Sequence, residues 1–222
     1  ELRLSHFMPA ALYPKGRKKT FTTPTSTGPI DKASEIRDYV LCSDCELRLD
    51  QGGESHVLGL VAAKVRRHFP LLEKVAALEP LRTQSDGRHV YSAADLGIDT
   101  RRLAYFALSL VWRASVHEWP VAGLPSLAPL PLSPFDEVLR RYLLGETSFP
   151  SQTAVVAAIC TDSLTRETWF VPTLDRSIEG LAIAHLQTLG FNFTAWFGPN
   201  IPEEVHAVCC VSSLEKTVIV AN

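Results

Sequence analysis

The chain has 222 residues, a formal net charge of −2, and a composition of 46% hydrophobic and 21% charged residues. This composition excludes a disordered tail, and the length suits one large domain or two small ones with a buried core. The near-neutral charge argues against nucleic-acid affinity spread over the whole surface, while leaving room for a local basic patch. Apolar runs such as residues 103–108 are too short to cross a membrane, so no membrane span is expected.

Cysteine usage favours a reducing compartment. The five cysteines are an odd number and include the adjacent pair Cys209-Cys210, an arrangement unlike the disulfide framework of a small extracellular protein. The chain does not open with a charged and then apolar leader segment. We therefore expect a cytoplasmic protein.

The first part of the chain combines basic, turn-forming and strand-like segments. Residues 15–19 (KGRKK) form a basic cluster. Residues 20–33 are rich in Thr, Ser, Pro and Gly, which is typical of an exposed loop or a hairpin turn. Residues 39–41 are predicted to form a short strand that leads into a pair of cysteines and a turn of helix. The dipeptide Gly52-Gly53 is predicted to end that helix.

Helices dominate the middle of the chain. Helical periodicity starts at Glu54, whose carboxylate would be favourable at a helix start, and runs to residue 67. Pro70 suits the first position of a further helix. The strongest helix, residues 101–117, is apolar nearly all round, which predicts that it is the buried core of the fold. Arg113 on this helix is expected to be an internal ion-pair partner.

The last third of the chain is predicted to form a sheet. Five prolines between residues 119 and 134 exclude a helix or a central strand there, and a helix is expected after them, ending at Gly145. Apolar or alternating runs separated by glycines then predict strands. These runs are residues 153–160, 167–171, 183–188, 191–197 and 217–220, with an earlier short strand at residues 89–91.

Together these patterns predict an α+β protein with buried central helices and a mostly antiparallel C-terminal sheet. We also expect an N-terminal, zinc-dependent unit over residues 1–55. A larger α+β domain over residues 56–222 would comprise a helical middle (56–145) and a β-rich part (150–222).

The pair Cys42 and Cys45 is the strongest chemical signal. Two cysteines separated by two residues form half of a tetrahedral zinc site. A redox pair or two unliganded thiols are the alternatives, and the redox interpretation is disfavoured because Gly52-Gly53 would interrupt the long helix it requires. A closed zinc site needs four ligands, so His6 would be a third ligand or the two missing ligands would precede Glu1.

Several segments carry a resemblance to a known family. The most distinctive are residues 5–13 (SHFMPAALY) and 37–48 (RDYVLCSDCELR), followed by Gly53-Glu54. Further segments are residues 103–107 (LAYFA), 111–117 (VWRASVH), 142–145 (YLLG) and 149–150 (FP). Over its first two-thirds the chain resembles a family of uncharacterised bacterial proteins with an N-terminal HNH-like treble-clef segment. In that family a Cys-x-x-Cys pair precedes the Ser-His-x-x-Pro segment.

The resemblance implies metal-dependent phosphodiester cleavage within a ββα unit. His6 would be the general base that deprotonates the attacking water, Cys42 and Cys45 would ligate structural zinc, and Mg²⁺ or Mn²⁺ would hold the scissile phosphate. Ser5 stands where such nucleases have Asp, and a hydroxyl is a poorer magnesium ligand than a carboxylate. Glu46 stands where they have Asn, and would either restore an oxygen ligand at the catalytic site or cap the helix.

The leading hypothesis is therefore an HNH-related nuclease, or a nuclease-derived nucleic-acid-binding protein, with DNA as its partner. The clustered cations would neutralise backbone phosphates, or would form an ordinary solvated loop. The proposed phosphate contacts are Lys15, Arg17, Lys18 and Lys19. The alternative is a non-catalytic, zinc-scaffolded binding module, in which His6 would be a packed or zinc-binding histidine.

Overall fold

The chain folds as an α+β protein, as the sequence predicts. The computed structural model describes residues 1–13, 21–25, 28–32, 35–61, 69–121, 125–162, 169–188, 190–211 and 217–221. Within these ranges a two-stranded N-terminal hairpin and a layer of helices lie against a seven-stranded, mostly antiparallel sheet. No helix in the described part of the chain is long and apolar enough to span a bilayer.

The N-terminal unit has a strand–strand–helix arrangement. Strand β1 (Leu2–His6) pairs antiparallel with β4 (Arg37–Cys42), which leads directly into helix α1 (Ser43–Leu49). The connection between β1 and β4 contains a further hairpin, β2 (Phe21–Thr25) and β3 (Gly28–Lys32). The turn-rich composition of residues 20–33 thus forms a hairpin, one of its two predicted outcomes.

The prediction that Gly52-Gly53 ends the first helix is wrong. Helix α1 continues through a π-helical turn (Asp50–Glu54) into α2 (Ser55–Val61). The glycines allow this run to approach a neighbouring helix closely: a Cβ on Gly52 would lie 2.4 Å from the ring of Tyr105, and one on Gly53 would lie 2.7 Å from the carbonyl oxygen of Arg102. Glu54 consequently lies inside a helical run instead of beginning one.

The remaining helices are α3 (Pro70–Ala76), α4 (Thr100–Val116), α5 (Phe135–Leu143) and a short α6 (Glu203–His206). The Asp99 side chain caps α4 by accepting hydrogen bonds from the backbone N–H groups of Arg101 and Arg102, at 3.0 and 3.2 Å. Most residues of α4 are buried, which confirms that this helix is central to the core.

The large sheet draws strands from two separate parts of the chain. Its strands are β5 (Arg82–Thr83), β6 (His89–Ser92), β7 (Thr153–Cys160), β8 (Trp169–Asp175), β9 (Ala182–Thr188), β10 (Phe191–Phe197) and β11 (Thr217–Ala221). Their order across the sheet is β5-β6-β11-β7-β10-β9-β8, and β11 and β7 are the parallel neighbours. Strands β5 and β6 therefore bring the middle of the chain into the C-terminal sheet.

One hydrophobic core joins the sheet, α4 and the N-terminal segment. The rings of Phe106 on α4 and Phe193 on β10 lie 6.1 Å apart. Phe7, which follows β1 and is 1% exposed, meets Trp119 edge-on at 5.3 Å. The end of β1 is thus anchored in the main core, which fixes the position of the adjacent His6.

Candidate functional site

His6 opens onto a pocket that also holds three carboxylates. The pocket has a volume of about 390 Å³ and lies between the end of β1 and the helical run of α1. We call it the His6 pocket; it is lined by His6, Pro9, Ala10, Glu46, Leu47, Asp50, Glu54 and Arg113. The carboxylates recur every four residues, which brings them to one side of the helical run. The structure therefore brings the predicted residues His6 and Glu46 together.

The His6 imidazole is oriented by a carboxylate that the sequence analysis missed. Its Nε2 lies 3.0 Å from Oε2 of Glu35, and Nη1 of Arg37 lies 3.7 Å from the same oxygen. An ionised carboxylate only accepts hydrogen bonds, so in the neutral imidazole Nε2 carries the proton and Nδ1 is left as an acceptor. The His6 side chain is 25% exposed, which leaves the ring accessible from solvent.

Arg113 braces the backbone next to His6. Its guanidinium donates from Nη1 to the carbonyl oxygens of Phe7, at 2.9 Å, and His6, at 3.3 Å, and it pairs through Nη2 with the Glu54 carboxylate. The residue is 3% exposed, so the predicted internal ion pair is confirmed. The Nε atom of Arg113 has no hydrogen-bond partner among the residues that the structure describes.

The two cysteines lie at the junction of β4 and α1. Cys42 is the last residue of β4, and its Sγ lies 3.4 Å from Sγ of Cys45. Hydrogen bonding from the Cys45 backbone N–H lowers the pKa of Cys42, whereas burial is the main cause of a raised pKa at Cys45. Two sulfurs this close could bind one metal ion, so the geometry fits half of a tetrahedral site.

The other half of a zinc site is not found within the described ranges. There, no group of three or more His, Cys, Asp or Glu side chains is placed to hold a metal ion. The hairpin register pairs Leu2 with Cys42 and His6 with Arg37, which separates His6 from Cys42 by about 14 Å along the strand. The described structure therefore does not place His6 beside the cysteine pair as a preformed third ligand.

The remaining cysteines lie on other elements and do not join this pair in a metal-ligating cluster of the described residues. Cys160 lies on β7. Cys209 and Cys210 follow α6 in a turn, and both are fully buried. Burial raises the pKa of Cys210 to about 12, so this thiol stays protonated at neutral pH.

A second histidine–carboxylate pair lies near the hairpin but does not line the His6 pocket. Nε2 of His117, at the end of α4, lies 2.9 Å from Oδ2 of Asp38 on β4. The hydrogen bond from His117 lowers the pKa of Asp38. Like His6, His117 has a partly exposed side chain (30%) and pairs with a carboxylate. It is therefore a suitable control for substitutions of His6.

A larger opening lies against another side of α1. Its volume is about 560 Å³, and we call it the tyrosine pocket. It is lined by Asp44, Leu47, Arg48, Gln51, Gly52, Tyr105, Tyr142, Leu143 and Gly145. This pocket could not be predicted from the sequence, because its walls come from three helical segments that only tertiary packing brings together.

The predicted phosphate contacts Lys15, Arg17, Lys18 and Lys19 lie outside the described residues.

Comparisons of the chain with protein-family models, with curated proteins and with solved structures found no match. The function is therefore inferred from the geometry of the two pockets.

Proposed function

We propose that the chain is an HNH-related, divalent-metal-dependent nuclease whose reaction takes place in the His6 pocket. The observation that carries this proposal is the convergence of His6, Glu46 and Asp50 on one opening of a strand–strand–helix unit. Phosphodiester hydrolysis of this kind needs a base that titrates near neutral pH and carboxylate oxygens that bind a hard cation.

His6 would act as the general base. With Nε2–H donated to Glu35, Nδ1 is the atom that removes the proton from the attacking water. Glu35 would hold the ring in this tautomer and stabilise the imidazolium once the proton has been taken up. Because it acts through His6, Glu35 is a positioning residue. Arg113 holds the backbone that carries this ring by donating to the carbonyl oxygens of His6 and Phe7.

The charge of the His6 pocket accounts for the need for a divalent cation. Three carboxylates face one guanidinium, and Arg113 is already paired with Glu54. An anionic phosphodiester would therefore be repelled unless a cation entered with it. Glu46 and Asp50 would hold Mg²⁺ or Mn²⁺, which neutralises charge on the scissile phosphate. Protein sites for Mg²⁺ often supply only one or two carboxylates and leave the other positions to water and substrate.

Cys42 and Cys45 would provide two of the four ligands of a structural zinc ion. They lie immediately before Glu46, so zinc bound there would brace the start of the helix that carries the carboxylates. This role is separate from the chemistry, and no step of the proposed reaction passes through the zinc site.

A non-catalytic binding module is the second candidate function. It is favoured by one observation: the ranges that the structure describes contain no preformed cluster of three or more metal-ligating side chains. In that case the strand–strand–helix unit would scaffold an interaction surface, and His6 would serve only to tie the end of β1 to Glu35.

The test is cleavage of plasmid DNA and of RNA by the full chain in Mg²⁺ or Mn²⁺. We expect activity that chelation removes, and at least a 100-fold loss of rate in His6→Ala, since general-base catalysis contributes roughly 10²- to 10⁴-fold. His117→Ala is the matched control, because His117 also pairs with a carboxylate but lies outside the pocket, and it should retain activity.

Two results would count against the nuclease. If the folded, metal-supplemented chain cleaves neither DNA nor RNA, the binding module becomes the better description. If His6→Ala and His117→Ala lose activity equally, the loss reflects the fold of the hairpin and His6 is not the base.

A further inference from the structure

The tyrosine pocket is a binding site that the proposed chemistry does not use. Its volume of about 560 Å³ is within the range of ordinary ligand pockets. Two aromatic rings form one wall: the centroids of Tyr105 on α4 and Tyr142 on α5 lie 5.7 Å apart, and the rings are inclined by 58°. Tyr105 Oη donates a 2.7 Å hydrogen bond to the carbonyl oxygen of Leu143, which fixes its ring.

The polar groups of this pocket suit an uncharged planar ligand. Arg48 and Asp44 contribute one positive and one negative charge, in contrast to the excess of carboxylates in the His6 pocket. Gln51 adds an amide that can both donate and accept hydrogen bonds. This combination of aromatic faces with mixed donors and acceptors matches the face and the edge of a nucleobase.

The two pockets are neighbours across one helix. Leu47, 55% exposed, lines both of them, and a helix with its side chains is about 10–12 Å wide. A strand with a phosphodiester at His6 can therefore reach the tyrosine pocket with a base from a nearby nucleotide.

We propose that the tyrosine pocket binds an unpaired nucleobase of the same strand whose phosphodiester lies in the His6 pocket. This inference rests on the proposed function and names its substrate class: single-stranded nucleic acid, or a duplex with an unpaired base. A base stacked and paired inside a duplex cannot enter a pocket of this kind without leaving the stack. Stacking on Tyr142, with Gln51 and Asp44 at the base edge, supplies the binding.

The experiment measures binding without turnover. A short fluorescein-labelled single-stranded oligonucleotide is titrated with the full-length His6→Ala chain, and the anisotropy is compared with that of the matching duplex. We expect tighter binding of the single strand. Replacing Tyr142 by Ala in this background should weaken binding about five- to 150-fold, which corresponds to the loss of one stacked base.

Three variants separate stacking from a general effect on the fold. Tyr142→Phe keeps the ring and should bind like the parent. Tyr39→Ala removes an exposed tyrosine, 62% accessible, that lines neither pocket, and should change nothing. Gln51→Ala alters an exposed side chain without touching the core, and should change the relative affinities for oligonucleotides of different base composition.

The outcomes distinguish this inference from the nuclease proposal. If the active chain cleaves nucleic acid but Tyr142→Ala leaves affinity for the single strand unchanged, the base pocket is refuted and the nuclease stands. If the variants behave as expected while the parent chain never cleaves, the base pocket stands and the nuclease fails. Equal or tighter binding of the duplex, or no binding of the single strand, overturns the inference.

Discussion

The His6 pocket and the tyrosine pocket lie on adjacent sides of one helix and differ in almost every chemical respect. The first is lined by three carboxylates and an imidazole. The second is lined by two tyrosine rings and by one positively and one negatively charged side chain. The helical run supplies both sets, because residues 46, 50 and 54 share one side while residues 44, 48 and 51 face another. One continuous helix can thus present a charged reaction centre and an aromatic ligand site without a domain boundary between them.

Removing the brace of the His6 pocket should have the largest effect. Arg113→Ala leaves the Glu54 carboxylate and two backbone carbonyls without their buried partner, and breaking such a pair costs about 3–5 kcal/mol. Urea unfolding followed by circular dichroism measures this loss. The double variant Arg113→Met with Glu54→Leu should recover most of the stability, because no unpaired charge stays buried. A single variant as stable as the parent would show that the pair does not hold the pocket together.

Substitution of Gly53 in the helical run should have the next largest effect on stability. A Cβ at Gly53 would lie 2.7 Å from the Arg102 carbonyl and 2.8 Å from the Phe106 nitrogen, both backbone atoms that cannot turn away. We expect Gly53→Ala to lower the free energy of unfolding by about 1–3 kcal/mol through overpacking.

Gly59 is the matched control for Gly53. It lies in α2, and a Cβ at this position would meet open space, with no neighbouring atom within 4 Å. Because alanine is the better helix former, Gly59→Ala should be more stable than the parent by about 0.5–1 kcal/mol. Thermal melts of the two variants would contradict the account if both shifted in the same direction.

The smallest effect is confined to high pH and to the tyrosine pocket. Burial is the main cause that raises the pKa of Tyr105 and of Tyr142 from 10.0 to about 12. The unfolded chain therefore loses these protons at lower pH than the folded chain. The stabilising contribution is fully present below about pH 10 and is lost as the pH rises towards 12.

Ultraviolet absorbance measures this titration directly. The phenols of Tyr105 and Tyr142 should ionise late in the folded protein, and Tyr142→Phe should remove one tyrosine from the step near pH 12. Ionisation of all five tyrosines in one step near pH 10, in a protein that is still folded, would show that burial does not raise the pKa of these two phenols.

Much of the fold could be predicted because its signals are local. Strands β7 and β10 match their predicted bounds, since each is an apolar or alternating run ended by turn residues. Helix α4 was found from its periodicity and apolar surface. The helix through Gly52-Gly53 was missed because tertiary packing against Tyr105 and Arg102 overrides the weak helical preference of glycine.

The candidate site was only partly predictable for the same physical reason. His6 and the cysteine pair stand out by spacing and residue type, and the four-residue spacing of Glu46, Asp50 and Glu54 was a signal available in the sequence. Glu35 carries no such signal, since its place beside His6 depends on where the chain enters β4. The tyrosine pocket depends on contacts between helices far apart in sequence, which no periodicity reveals.

The central claim, that the His6 pocket holds a divalent cation, is tested most directly by Mn²⁺ titration followed by nuclear magnetic resonance. Variants His6→Ala and His117→Ala assign the two imidazole signals. The account predicts that Mn²⁺ broadens the His6 signal at a lower Mn²⁺ concentration and more strongly than that of His117, and that Glu46→Ala together with Asp50→Ala abolishes the broadening. Broadening of neither imidazole, or of both equally, would contradict it.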